Sequence, residues 1–334
     1  MSIRSIFRYV TALALFAVIF SGAHAEKPVG SIPGRLTVEQ SAAVYTIPIE
    51  VPPGAAGMQP DLAITYNSNG GNGLLGVGFS LSGLSVITRC GKTIAQDGAR
   101  GGVYYDSRDR FCLDGQRLIA ISGADGGNGA EYRTEIDGYS RIISYGQQGS
   151  GSAWWKVWTK AGQAVEYGKT ADSRIEAQGK STVRLWAVNR IADTVGNGID
   201  FEYYENHGTG EYYPTRIEYA GGKVKFGYTS RNNPIQETWV AGSKLRKSVH
   251  INNISTYIGE SLVSTLVPEY TRRDTSLLLT DLEWCDSEGK CIPKVGFIRD
   301  SYELPGNFDV TNNYASSKKS VGCFRDGKIC KRMI

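Results

Sequence analysis

Short alternating runs of apolar and polar residues, each closed by a turn signal, set the tightest limit on what this chain can fold into. Leu62–Tyr66, Arg117–Ile121, Trp154–Trp158, Val183–Val188, Ile199–Tyr203 and Val224–Tyr228 are such runs, rich in β-branched and aromatic side chains. A period of two puts successive side chains on opposite faces of an extended strand and half-buries it. Between the runs stand Asp97-Gly98, Asp114-Gly115, Asp137-Gly138, Gly196-Asn197-Gly198 and Gly221-Gly222, residue types that accept the positive φ of tight turns. No stretch repeats convincingly at 3.6 residues. Ser248–Glu260 comes nearest, but Asn252-Asn253 and its β-branched residues suit strands better. The expected fold is all-β: many short antiparallel strands in a sandwich, barrel-like or shell-like domain, closed or stacked to protect its edges.

Composition agrees with that reading. Gly supplies 41 of 334 residues, with 11 Pro and no collagen-like period, and Tyr supplies 19 of the aromatics. At 41% hydrophobic and 21% charged residues, the chain can bury a core and is no disordered polyampholyte. A net charge of +4 gives no electrostatic footprint for nucleic acid.

Residues 1–25 read as an export signal. Arg4 and Arg8 form its positive start, Tyr9–Phe20 its apolar stretch, and Ala23-His24-Ala25 its cleavage site. About 12 apolar residues fall short of the ~20 that span a bilayer, and no later segment is longer. The mature chain is therefore expected outside the cytoplasm, secreted or in the cell envelope, without a transmembrane segment. Residues 26–35 form an extended Pro/Gly leader. Residues 36–300 hold no linker that forces a boundary and are expected to be one β-domain. Residues 301–334 make an atypical, less hydrophobic tail.

All six cysteines lie beyond the signal. In an exported chain an even count points to disulfides, and six allow 15 connectivities. Neighbour pairing is the expectation: Cys90 with Cys112 around a hairpin, Cys285 with Cys291 around Asp286–Lys290, and Cys323 with Cys330 in the tail. The spacings do not make C-x₂-C zinc pairs, and no His stands beside them.

No constellation carries catalysis or a cofactor. Gly71-Asn72-Gly73-Leu74-Leu75-Gly76 matches G-x-G-x-x-G, follows a strand run and has Asp97 about 20 residues on. Dinucleotide binding needs a helix to start there. Val77–Ile87 brings two more Gly, three Ser and β-branched residues instead, so a glycine-rich β-turn is expected. Ser80 and Ser82 do not form G-x-S-x-G, and a triad would have to recruit His207 or His250. Glu131 and Glu135 read as a solvated strand face. Gly126–Glu131 approaches a calcium repeat only once and lacks its Asp. Trp154 and Trp158 share one strand face and Trp155 takes the other. A strand interior would use these three residues, and so would a platform for glycan or protein.

Several longer stretches are specific. They are Ala43–Gly54, Gly57–Leu62, Tyr66–Ser68, Gly71–Phe79, Leu81–Ser85, Ile87–Cys90, Asp109–Leu118, Glu131–Ile136, Asp172–Glu176, Trp186–Asp193 and the Cys285…Cys291 element. Together they closely resemble the N-terminal domain of the SpvB/TcaC family, found in bacterial virulence proteins, toxin-complex B components and Rhs/YD-repeat proteins. The resemblance covers about residues 36–298. It implies an all-β part of a larger shell, with enzymatic activity such as mono-ADP-ribosylation residing in separate C-terminal domains. The chain has no E-x-E pair of the kind such transferases use. Val321–Lys328 resembles a degraded start of the FG-GAP or Rhs-type repeats with which relatives continue, so a truncated or split gene is an expectation here.

The expected function is a non-enzymatic, exported scaffold that docks other Rhs or toxin-complex β modules, with no cofactor or metal. A surface glycan- or protein-binding module using Trp154, Trp155 and Trp158 is the alternative, and a carboxylate-pair hydrolase or transferase is the third reading.

Overall fold

The computed structural model describes residues 30–231, 236–273, 276–298, 323–325 and 328–332. The expected signal peptide and most of the tail lie outside the described residues. Nearly every element is a strand, as the alternating runs predict.

The first strands build a small sheet. β1 (Arg35–Glu39), β2 (Ala42–Ile49) and β3 (Leu62–Asn67) are joined by β6 (Phe79–Ser82) in the order β1-β2-β3-β6. Between β3 and β6 a two-residue ribbon, β4 (Asn72–Gly73) with β5 (Gly76–Val77), projects from the sheet. Alternation buries Tyr45, Ile47, Ile49, Leu62, Ile64 and Phe79 on one face.

Eight strands then close into a barrel. β7 (Val86–Cys90), β8 (Arg110–Leu113), β9 (Gln116–Ser122), β10 (Glu131–Thr134), β11 (Arg141–Tyr145), β12 (Trp154–Trp158) and β13 (Ala164–Tyr167) pair in chain order. β14 (Arg174–Glu176) lies beside the first half of β15 (Val183–Ala192). β15 shuts the ring by pairing β13 through Val165↔Ile191 and β7 through Trp186↔Ile87. Its first seven residues, Val183–Asn189, are buried, because neighbours cover both of its faces.

The second half of β15 launches an antiparallel meander. β16 (Gly198–Asn206), β17 (Glu211–Tyr219) and β18 (Gly222–Ser230) lead to a lateral hairpin, β19 (Gln236–Val240) with β20 (Ser243–Lys247). β21 (Val249–Ile258), β22 (Ser261–Arg273), β23 (Ser276–Asp286) and β24 (Val295–Ile298) complete it. The backbones of β25 (Cys323–Arg325) and β26 (Lys328–Arg332) form a hairpin beside β24.

The three parts share one hydrophobic core. Leu75 is fully buried, the Ile251 N–H donates to Leu74 O at 3.0 Å, and Phe79 meets Phe297 at 4.9 Å. On the other flank the Tyr219 hydroxyl donates to Pro52 O at 2.8 Å. No helix among the described residues is long and apolar enough to cross a membrane.

One local expectation changes. Asp97-Gly98 is not a strand-to-strand turn but the end of one helical turn, Ile94–Asp97. Thr93 caps its start and Gly98, at φ 68°, ends it in the left-handed region. Cys90 and Cys112 lie on the antiparallel neighbours β7 and β8, as expected, and the chain between these strands makes a long excursion that carries this helical turn.

Candidate interaction surfaces

The barrel interior is filled by side chains. Phe111, Tyr132, Trp155 and Trp186 meet edge-on or tilted, with ring centres 4.9–6.4 Å apart. Among them lies a buried ion pair, Arg89 Nη1 to Asp109 Oδ2 at 2.9 Å. Arg89 also donates from Nε to Val183 O at 2.6 Å and from Nη2 to Ser150 O at 2.9 Å. Its guanidinium stands 5.5 Å from the Phe111 ring centre and 5.7 Å from that of Trp186. Burial pulls the Arg89 pKa down, and the hydrogen bond to Asp109 works against that shift. Asp109 Oδ1 accepts the Tyr104 N–H at 2.6 Å. A charge this deep is tolerable because its donors are matched.

The other motif residues around the barrel are also used for structure. Asp114 (φ 47°) and Gly115 (φ 83°) make the two-residue turn between β8 and β9. The Asp114 carboxylate accepts the Val86 N–H at 2.8 Å and the Ser85 hydroxyl at 2.6 Å. Arg110 and Arg117 converge on Asp97 at 2.8 and 3.0 Å, which holds the helical turn against the barrel.

Cys90 is bonded to Cys112 across β7 and β8, and Cys285 to Cys291. The second bridge closes a turn in which Asp286 Oδ1 accepts the Glu288 and Lys290 N–H groups, each at 2.9 Å. Glu283 lies beside Cys285 and Cys291, but disulfide sulfurs are not thiolate ligands. Backbone register sets Cys323 opposite Cys330; their side chains lie outside what is described.

The Gly71–Gly76 element has the opposite polarity to a phosphate loop. It offers carbonyl oxygens to cations. Arg231 donates to Gly73 O and, at 3.1 Å, to Asn72 Oδ1, while Lys247 Nζ donates to Asn72 O at 3.0 Å. Burial, reinforced by Arg231, pushes the Lys247 pKa down. Gly76 has φ 88°, and a Cβ there would stand 2.6 Å from Leu277 O. Gly76 thus lets the ribbon press against β23.

The three tryptophans of β12 do not share a surface. Trp155 is fully buried in the barrel, because its face of the strand points inward. Trp154 and Trp158 lie half-buried on the outer face. Trp154 is stacked on Tyr145 at 4.3 Å, with Lys169 Nζ 5.1 Å from its ring centre. Trp158 has Arg141 at 5.4 Å and Lys156 at 5.3 Å. These faces already have partners.

The remaining candidates are dispersed. Glu131 pairs with Arg133 and Arg141, and Glu135 accepts from Gln96 at 2.7 Å. His250 packs edge-on against Tyr270 at 4.9 Å, and burial, with Arg231 and Arg272 behind it, lowers its pKa. Sequence reading missed one cluster: Glu176, Glu205 and His207 bring ligand-type atoms within 4.8 Å of one another. They come from β14, β16 and the turn after β16, so no local motif announces them. Glu176 is already an acceptor for Gln148. Burial first, then Glu176, raises the Glu205 pKa. An apolar cleft lined by Ile32, Pro48, Ile49, Leu266, Trp284 and Ile292 lies between the first sheet and the meander.

The family model described as Salmonella virulence plasmid 65kDa B protein matches residues 38–220. The chain belongs to the SpvB family. The mono(ADP-ribosyl)transferase SpvB of Salmonella typhimurium is 27% identical over 187 residues, which is 50% of this chain and 30% of the relative. The same protein of Salmonella dublin matches to the same extent. The chain therefore spans less than a third of the length of these curated relatives. The N-terminal domain of effector protein SpvB from S. typhimurium strain LT2 has the same fold, with a TM-score of 0.57 at 19% identity over 78% of this chain and 99% of that domain. The TcdB2-TccC3 crystal structure contains it too, with a TM-score of 0.67 at 17% identity over 84% of this chain and 17% of that one. In SpvB-family terms, the matched span runs from β1 through β17 and takes in the whole barrel.

Proposed function

We propose that this chain is an exported, non-enzymatic SpvB-type β scaffold that docks further β modules of the Rhs or toxin-complex kind. Residues 1–25 serve as its export signal and residues 36–300 as its working domain. The observation that carries the reading is where the family motif residues go. Arg89, Asp109, Cys112, Asp114 and Gly76 are all taken up in closing the barrel and locking the ribbon, through an ion pair, a disulfide, a turn and a close backbone contact. The fold likeness to TcdB2-TccC3 supports toxin-complex proteins as the partner class. Glycan stacking on β12 is disfavoured, because aromatic and cationic neighbours already engage Trp154 and Trp158 and because Trp155 faces inward.

The test is to mix the purified mature chain with Rhs-type shell proteins from the same source and follow elution. A co-eluting complex that survives Trp154→Ala/Trp158→Ala supports strand-mediated docking. Loss of the complex in that variant moves the interface to β12, and independent elution overturns the scaffold reading.

A further inference from the structure

β1 is the outermost strand of the first sheet, and among the described residues nothing pairs its outer edge. Proteins usually blunt such an edge with charged side chains, Pro or a bulge. Arg35-Leu36-Thr37-Val38-Glu39 has no Pro and no bulge, its register with β2 is unbroken, and its charges stand only at its two ends. Leu36 is 63% exposed and Val38 79%. Both lie on the same face as Tyr45, the partner of Leu36 on β2, which is buried. They extend the sheet's apolar face beyond the body of the protein.

The five residues are complementary to themselves when read antiparallel. Around a two-fold axis at Thr37, Arg35 falls opposite Glu39 of a second copy and Leu36 falls opposite its Val38, with both relations repeated by symmetry. The free hydrogen-bonding groups suit this register. A two-residue turn, Gln40-Ser41, closes β1 onto β2 at Glu39↔Ala42. Alternation from that hydrogen-bonded pair turns the N–H and C=O of Glu39, Thr37 and Arg35 toward β2 and those of Val38 and Leu36 outward. Leu36 and Val38 of the two copies then exchange backbone hydrogen bonds, and their side chains form one apolar cluster.

We propose that the outer edge of β1 binds β1 of a second copy of this chain, antiparallel about Thr37, so that two four-stranded sheets become one of eight strands. The interface is isologous. One strand a side is a small contact, so the dimer is expected to be weak, in the micromolar range or above.

Sedimentation of the full chain over a concentration series tests this. The wild-type chain should pass from monomer to dimer. Arg35→Glu and Glu39→Arg each convert two attractive cross-strand pairs into repulsive ones and should weaken the dimer about tenfold or more. The double swap Arg35→Glu/Glu39→Arg should restore it. The two single variants should pair with each other when mixed, because both charged positions of one strand are then acidic and both of the facing strand basic. Val38→Lys, at an exposed position, should give a folded monomer. A wild-type chain that stays monomeric overturns the proposal. So does a dimer indifferent to the swaps, which would place the contact on another face or partner segment.

Discussion

Replacing Asp109 with Ala strands the Arg89 guanidinium inside the barrel. The carboxylate takes Arg89 Nη1 at 2.9 Å and the Tyr104 N–H at 2.6 Å, and both side chains of the pair are at most 1% exposed. Removing one partner of such a pair costs about 3–5 kcal/mol, because the remaining charge keeps its desolvation penalty and loses its compensation. The orphaned Tyr104 N–H adds about 1 kcal/mol. For a domain of this size the melting temperature should fall by roughly 10 °C. Scanning calorimetry or thermal unfolding followed by near-ultraviolet dichroism reads the change. Two controls fix the cause. Arg108→Ala breaks an exposed pair with Asp106 and should leave the melting temperature unchanged. Arg89→Met/Asp109→Leu should lose less than the two single substitutions summed, because it leaves no buried charge. An Asp109→Ala chain that melts with the wild type would refute the placement of this pair inside the closed barrel.

Four further outcomes are expected. Trp155→Ala should cost about 3–5 kcal/mol in chemical denaturation, and Trp154→Ala, on the outer face, clearly less. Gly76→Ala combines a left-handed φ with a Cβ 2.6 Å from Leu277 O, so it should destabilise by more than about 1 kcal/mol and raise amide exchange at β5 and β23. Opening the Cys90–Cys112 bridge, whose ends are 22 residues apart, should cost roughly 3 kcal/mol against roughly 2 for Cys285–Cys291, with a separation of 6, as measured with each bridge replaced by serines in turn. Glu205 has its pKa raised in the fold, so the folded state holds its proton more tightly than the unfolded state does. Its contribution to stability must fall as pH rises through and above the ordinary carboxylate range, and Glu205→Gln should flatten that decline in a pH series of melting temperatures.

Most strands are legible in the sequence because one half-buried face imposes period two. Leu62–Tyr66, Trp154–Trp158 and Val224–Tyr228 fall inside β3, β12 and β18. Barrel closure is not legible. It depends on β15 pairing β7 and β13 at once, and such long-range pairings leave no local mark beyond the buried run Val183–Asn189. The helical turn at Ile94 is signalled by Thr93, an N-cap residue whose hydroxyl accepts the Gln96 N–H, but the apparent turn pair Asp97-Gly98 competes with that signal. The sequence that follows the glycine-rich element is enough to separate it from a nucleotide loop. That its carbonyls are gripped by Arg231 and Lys247, more than 150 residues away, only the fold reveals. Trp155 and its neighbours can be assigned to two faces, but not to inside and outside, because an aromatic strand face looks the same in either place.

Amide hydrogen exchange of the chain, alone and mixed with Rhs-type shell proteins from the same source, tests the scaffold account most directly. The account predicts new protection at edge-strand amides, unchanged exchange in the barrel core and no perturbation of the β12 outer face. Exchange identical with and without the partner, or protection confined to Trp154–Trp158, would contradict it.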